Sequence, residues 1–379
     1  MTLAQESCTR EAVHYLKKNA TKEVTTMLRH VTVLLGVLLL AVALVATSCA
    51  PAAPTTQPTG ATGAPTYNYK WRMTTAIGSE TDLAKSCFNL ADKIRERTDG
   101  RVDVTVYADA ALGAWDLTNE MIQRGDIEMM TEALDDSWDP RIAIGYYMPF
   151  LYIDYAAQAR LCGTDGVVYR LLNEVVGGLN YRVLGFFSCG VGGVSLTDVP
   201  NAPFDPDVQK GIKTRVMALT ACRLTYERLG YMVAAIPFGE VYTAIQTGIV
   251  QGQQGGGTMQ AWMFRDVNKV WLHYKDYIEP NWYSINEKAW QSLHPTDQQI
   301  LIDCCQEEQQ IQLEYVAEMD ENYMKMLKDY GWTILTPTDQ EWEKMAAAVR
   351  KDVWPELVPL ISAEFLNEVC DDLGIARVA

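Results

Sequence analysis

Histidine is nearly missing from this chain, with four in 379 residues. So few cannot build a His-rich metal cluster, and beyond residue 49 only His273 and His294 remain for acid–base work. Positive charge is scarce as well. Thirty-two Lys and Arg face 48 Asp and Glu, a net charge of −16. That excludes a general binder of nucleic acid or of anionic lipid, because both demand a positive field. There is no Cys-x-x-Cys, no Gly-x-Ser-x-Gly, no His-Glu-x-x-His, no Walker loop and no Gly-x-Gly-x-x-Gly after a strand. The usual signatures of hydrolases, metalloproteases and nucleotide binders are therefore absent. What is present is a globular composition, 48% hydrophobic and 21% charged, with length for two or three folded units.

The chain also lacks a long apolar run. The best candidate, Val31 to Ala46, has 16 residues and falls short of the roughly 20 that cross a bilayer core. Met27-Leu28-Arg29-His30 precedes it and Thr47-Ser48-Cys49 follows, which describes a secretory signal. A cysteine after small residues resembles the acceptor of a bacterial lipoprotein signal, although Ala46 stands where Leu is usual. An ordinary signal peptide cut nearby, or a permanent anchor helix, are the alternatives. Residues 1–49 are read as signal with Cys49 as lipidation site; the polar residues 1–26 are unusual for a signal, and a start at Met27 in place of Met1 would account for them. Residues 50–67, dominated by Pro, Ala, Thr and Gly, read as a tether. Residues 1–49 hold five Lys or Arg and three Asp or Glu, so the exported part is more acidic still.

Of nine cysteines, Cys8 and Cys49 fall in the signal region, leaving an odd seven. At least one therefore stays a thiol, and small buried apolar residues is the reading for most of them.

Periodicity gives the layers. Trp71 to Ile77 reads as a strand; Leu83, Cys87, Leu90 and Ile94 mark one stripe of a helix ended by Asp99-Gly100. Val102, Val104 and Val106 alternate as a strand, Leu117 to Ile122 form a short helix, and Ile127 to Thr131 a third strand. Strand–helix alternation predicts an α/β layer with a largely parallel sheet. A second unit follows: strands at 181–188, 212–216, 233–236 and 249–251, with helices at 218–229 and 240–247. Thr296 and Gln299 fit a capping box, and the pattern then runs without Pro or Gly to Tyr330, long enough to bridge two lobes. Thr338 with Glu341 opens another helix, through Arg350.

This order of segments resembles the TRAP-transporter solute-binding proteins of the DctP type. The most specific blocks are Lys210-Gly211-Ile212-Lys213-Thr214-Arg215-Val216 and Pro237-Phe238-Gly239-Glu240-Val241-Tyr242-Thr243-Ala244-Ile245-Gln246-Thr247-Gly248. Ala111-Leu112-Gly113 and Tyr147-Met148-Pro149-Phe150-Leu151 are weaker echoes. The resemblance implies a periplasmic-binding-protein-like α/β fold, two lobes around a cleft and a long helix along both. We expect lobe I at 68–192 with 281–320, and lobe II at 193–280 with 321–379. It implies an extracytoplasmic protein, held at the membrane through Cys49, that captures a small carboxylate and delivers it to a TRAP permease, with no cofactor and no nucleic acid.

The resemblance places Arg215 on the ligand carboxylate. A guanidinium suits that task because its planar fork makes two charge-assisted hydrogen bonds to a carboxylate; a solvated Arg or a structural ion pair is the alternative. Phe238 is expected against the ligand or in the core, Tyr242 in the cleft or between lobes, and Glu132 at a polar ligand-facing position or on the surface. The familiar acidic positions after the next strand are Gln251 and Gln254, and the Asn that touches ligand in some members is Gly255. A metal-bridged ligand is therefore not expected. The second ligand-binding Arg that some members carry is also missing from Val194 to Asp198, which suggests a monoacid or a ligand with a less charged body. Trp115, Trp262 and the glycine run at 255–257 suggest a roomier, more apolar site for an aromatic or hydrophobic carboxylate. The competing classes are a hydrolase or thiol enzyme on the same scaffold, with Cys189 or Cys222 as nucleophile, and a structural surface lipoprotein.

Overall fold

A computed structural model describes residues 67–378; Cys49, the signal segment and most of the tether lie outside them. The chain enters as β1 (Tyr69–Thr74), and α1 (Asp82–Arg97) carries it to β2 (Val102–Tyr107), paired parallel with β1. The side chain of Thr81 caps α1 by accepting from Ala84 N, Asp82 lies in the first turn and Arg97 in the last, which complements the helix dipole. Its stripe of Leu83, Cys87, Leu90 and Ile94 is fully buried. Next come α2 (Trp115–Arg124), closed by Gly125 at φ +76°, and β3 (Met129–Glu132), parallel to β1.

A single-turn helix at Pro140–Gly145 and two helices, α3 (Tyr155–Cys162) and α4 (Val167–Gly177), lead to the long β4 (Tyr181–Val191). The chain then crosses to the second sheet. There it forms β5 (Val194–Leu196), β6 (Lys213–Val216), α5 (Thr220–Arg228), β7 (Met232–Ala235), α6 (Val241–Gln246), β8 (Gly252–Gln254), α7 (Thr258–Met263) and β9 (Val270–Leu272). It returns through β10 (Ile278–Asn286) and α8 (Glu287–Ser292). The 35-residue α9 (Pro295–Asp329), β11 (Thr333–Leu335), α10 (Asp339–Asp352), α11 (Trp354–Ile361) and α12 (Ala363–Leu373) complete it.

The first sheet has the order β2-β1-β3-β10-β4 and the second β11-β9-β5-β8-β6-β7. These are the cores of two α/β lobes. Both sheets are largely parallel, as expected, with one reversed strand each: β10 runs antiparallel to β3 and β4, and β5 antiparallel to β8 and β9. The reason is connectivity, since these strands come directly from the other lobe and arrive reversed without a helical crossover. At the crossing, Gly192 N donates to Tyr277 O at 2.8 Å and Lys275 N to Gly192 O at 3.1 Å.

At about 1.5 Å per residue, α9 is about 52 Å long; it packs on β4 and α1 in one lobe and on α7 and β11 in the other. In its middle, the buried Asp320 accepts from Tyr155 OH at 3.0 Å and from Thr258 Oγ1, one partner from each lobe. His294, not Thr296, caps this helix, because Pro295 at the first position sets the start two residues earlier. The Thr338–Glu341 capping box of α10 is formed by both reciprocal bonds. The strand expected at 249–251 is a turn; Ile249 is exposed and pairing begins at Gly252. Beyond α10, α11 packs on the 140–145 turn and α12 on α3 and α4, so the last helices lie on the first-sheet side. That departs from the expectation for 321–379 because an apolar face on each, including Leu357, Ile361, Leu366 and Val369, covers that lobe's core. All seven described cysteines are buried thiols.

Candidate ligand-binding site

Arg215 sits on β6 between β7 and β8, aligned with Ala234 and Gln253. Its side chain is 2% exposed. Nε donates to Ile236 O and Nη1 to Gln254 O, each at 2.9 Å, while Nη2 donates to no described residue. Among the described residues Arg215 has no ion-pair partner. Burial pulls its pKa below the ordinary arginine value, although the facing Tyr146, Tyr277 and Glu279 favour the charge. A guanidinium remains protonated even so.

The guanidinium faces a cavity whose empty volume, open solvent at its mouth included, is about 380 Å³. Ala76, Ile77, Trp115, Glu132 and Tyr146 line it from the first lobe; Arg215, Met217, Phe238 and Gln260 from the second. Glu279 and Asn281 on β10 complete the wall. Both lobes contribute, so a change in their separation would open or shut it.

Each expected residue has a definite place. Phe238 follows β7, where its ring centroid is 6.0 Å from Arg215 Cζ. Trp115 enters as the first residue of α2. Glu132 ends β3, 2% exposed, with Oε1 accepting from Ala76 N. Burial pushes its pKa up to about 8, and neighbouring Glu279 adds to the rise. The surface alternative for Glu132 is thereby overturned. Gly255 lies behind the anchor at φ +128°, where a Cβ would come 3.2 Å from Arg215 Nη1. Glycine is needed there for both conformation and space.

Two expected residues lie elsewhere. Tyr242 is 38% exposed on α6 and does not line the cavity; two positions from Glu240, its direction was open in the sequence. Trp262 stacks edge-on to Tyr330 at 5.7 Å and under Arg265, and lines a separate open groove with Asp82, Glu318 and Tyr323. The glycine run had drawn it toward the ligand, but α7 turns its ring away.

Glu279 was not singled out from the sequence. It is buried, accepting from Gln260 Nε2 at 3.0 Å and Asn281 Nδ2 at 3.3 Å through Oε1, and from Tyr277 OH at 3.0 Å through Oε2. Burial raises its pKa, opposed chiefly by the bonds from Tyr277 and Asn281. The available signal was an acid inside an aromatic strand run, Tyr277 to Tyr283. Of the two Gln positions, Gln254 is buried beside the site and Gln251 braces the start of β6 by accepting from Lys213 N. Among the described residues no cluster of His, Cys, Asp and Glu has a metal-holding arrangement.

Comparison with known proteins agrees with this geometry. Residues 73–357 match the DctP family, bacterial extracellular solute-binding protein, family 7. A solute-binding protein of Verminephrobacter eiseniae is 27% identical over 284 residues, covering 74% of this chain and 82% of that one. The sialic acid-binding periplasmic protein SiaP of Vibrio cholerae is 26% identical, covering 71% and 82%. Among solved structures, the sugar acid binding protein of Advenella mimigardefordensis superimposes with a TM-score of 0.74 at 20% identity, over 80% of this chain and 97% of that one. A TRAP periplasmic solute binding protein of Desulfovibrio salexigens gives 0.73 at 20% identity, over 81% and 98%. The family is one of transport receptors, not enzymes, and its members work outside the cytoplasm. A buried, unpaired guanidinium between two lobes and a family match across most of the described chain converge: this protein belongs to the DctP family of extracytoplasmic solute-binding proteins.

Proposed function

We propose that the protein captures a small organic carboxylate, closes its two lobes over it and presents it to a TRAP-type permease. The observation that carries this reading is Arg215: a charge 2% exposed, without an ion-pair partner among the described residues and with Nη2 free toward the cavity. Burying a charge costs several kcal/mol, and an anionic ligand offsets that cost. Contacts from both lobes exist only when they are together, so a ligand touching both favours the closed form by its difference in affinity. Relatives and structural neighbours bind acids, among them sialic acid, galactonate and orotic acid, which supports the same class here.

The body of the acid is read as aromatic or otherwise apolar on one face, against Phe238 and Trp115. The lobes are taken as divided as expected from the sequence, with residues 354–373 grouped with the first sheet. Cys49 is read as the lipidated residue holding the receptor to the membrane, with 50–67 as tether. Isothermal titration of the soluble domain against mono-, di-, hydroxy-, amino and sugar acids tests the ligand class. Arg215→Ala abolishing every interaction supports it, and equal binding of a ligand without an acid group in both proteins overturns it. Loss of metabolic lipid labelling in Cys49→Ser tests the anchor.

A further inference from the structure

The cavity carries one cation and two acids, and nothing in the capture of a simple monoacid uses the second pair of charges. Among the described residues Arg215 is the only Lys or Arg that lines it, whereas Glu132 and Glu279 both do. Each carboxyl is 2% exposed. A monoanion closed in with an ionised Glu132 and Glu279 leaves an excess of two negative charges in a space with little water. Protonating one Glu still leaves an excess of one. Uncompensated charge of that kind is what closed sites avoid.

Hydrogen-bond directions point the same way. Glu279 accepts from the amide nitrogens of Gln260 and Asn281 and from Tyr277 OH. Those bonds turn the amide groups so that their carbonyl oxygens have no partner among the described residues. Glu132 has one bond, from Ala76 N to Oε1, and its Oε2 accepts from no described residue. Opposite the guanidinium, then, the walls offer the acceptors of Gln260, Asn281 and Glu279, beside a Glu132 carboxyl that becomes an acceptor on losing its proton. A second carboxylate on the ligand would meet repulsion there, and a plain hydrocarbon would leave those acceptors unpaired.

We infer that the Glu132–Glu279 side of the cavity is a subsite for a cationic hydrogen-bond donor, so that the preferred ligand is a zwitterion whose carboxylate lies on Arg215 and whose ammonium group lies between the two acids. This rests on the carboxylate reading above and narrows it. An ammonium supplies several donors and one positive charge, which satisfies the free acceptors and brings the enclosed charge nearer to zero. Glu279 acts as the fixed half of the subsite, oriented by its three donors. Glu132 acts as the adjustable half, held by a single bond and able to shed its proton when a cation arrives.

The test is matched sets of acids that differ only in an ammonium, a hydroxyl or a methyl group: phenylglycine, mandelate and hydratropate for a short span, and the para-aminomethyl, para-hydroxymethyl and para-ethyl benzoates for a long one. Titration calorimetry on the soluble domain, alongside the wider acid panel, is expected to favour the ammonium member of at least one set by about tenfold or more. Glu279→Gln should reduce the ratio of ammonium to methyl member within that set to about threefold or less. Ammonium acids binding no better than their partners, or an advantage unchanged in Glu279→Gln and Glu132→Gln, would overturn the subsite and leave the carboxylate reading standing. If instead no acid of any kind binds, the carboxylate reading itself fails. The ratio within a set is measured on the unaltered protein, so the result does not depend on how well a variant folds.

Discussion

Nη1 of Arg215 lies 2.9 Å from the carbonyl oxygen of Gln254, and the two residues sit on adjacent segments of the second sheet. Backbone carbonyls hold the guanidinium by its Nε and Nη1 edges without neutralising it, which leaves its remaining face for an anion. Arg215→Lys keeps the charge but loses the fork, and is expected to raise the dissociation constant for a carboxylate by tenfold or more, from about 1.5–3 kcal/mol per charged hydrogen bond lost. Arg215→Ala should abolish measurable binding while far-ultraviolet circular dichroism stays that of the parent. Binding that persists in Arg215→Ala would remove the anchor from the mechanism.

Stability should fall as the pH rises from 6.5 to 8. Burial lifts Glu132 from an ordinary 4.5 to about 8 and Asp136 from 3.8 to about 7. In that window the unfolded chain has already released both protons, whereas the folded chain keeps that of Asp136 up to about 7 and that of Glu132 up to about 8, so raising the pH favours unfolding. The loss levels off once Glu132 ionises in both states. His273 has the opposite sign, held down to about 4 from 6.5, and costs stability only as the pH drops below 6.5. Urea titrations at several pH values check this, with Glu132→Gln expected to flatten the slope between 6.5 and 8. A slope identical in that variant would show that another group is responsible.

Gly255→Ala should weaken ligand binding and stability together. The added carbon meets Nη1 of Arg215 at 3.2 Å and must adopt φ +128°, a backbone state that costs about 1–3 kcal/mol for a residue with a Cβ. Thermal melting and calorimetry of the one variant measure both effects, and wild-type affinity would mean that the guanidinium tolerates displacement.

Tyr242→Ala and Trp262→Ala are expected to leave affinity within about twofold of the parent, since neither side chain lines the cavity and surface changes away from a site have small effects. Trp262→Ala loses the stacking with Tyr330 and Arg265, so its melting temperature should drop more than that of Tyr242→Ala. A large loss of affinity in either would place the ligand beyond the cavity.

Asp320→Asn should destabilise the fold by about 2–3 kcal/mol, because an amide nitrogen then faces donors that now point at a carboxylate. Tyr155 from one lobe and Thr258 from the other both donate to it. Chemical denaturation measures the change; a neutral result would mean that the two lobes meet on α9 without this linkage.

Much of the fold could be read along the chain because its signals are local. The stripe of Leu83, Cys87, Leu90 and Ile94 needs only the 3.6-residue repeat, and the Thr338–Glu341 box needs only four residues. Arg215 and Phe238 were legible through two motif blocks. The last two helices were not, since their apolar faces are short and gain meaning only against α3, α4 and the 140–145 turn. Tyr242 and Trp262 were drawn toward the ligand by proximity in sequence to the site's loops, which says nothing about the direction a helix gives a side chain.

Composition and local pattern determined an acidic α/β chain, and the resemblance of two motif blocks to the DctP type pointed to Arg215 as the anion anchor. Only the tertiary structure decided what stands opposite that anchor. Glu132 ends a strand of the first sheet and Glu279 starts a strand that returns from the second. They are separated by 147 positions yet line the same wall. No pattern along a chain encodes such a meeting, because it is produced by the return of β10 between β3 and β4 and by the burial that this pairing enforces.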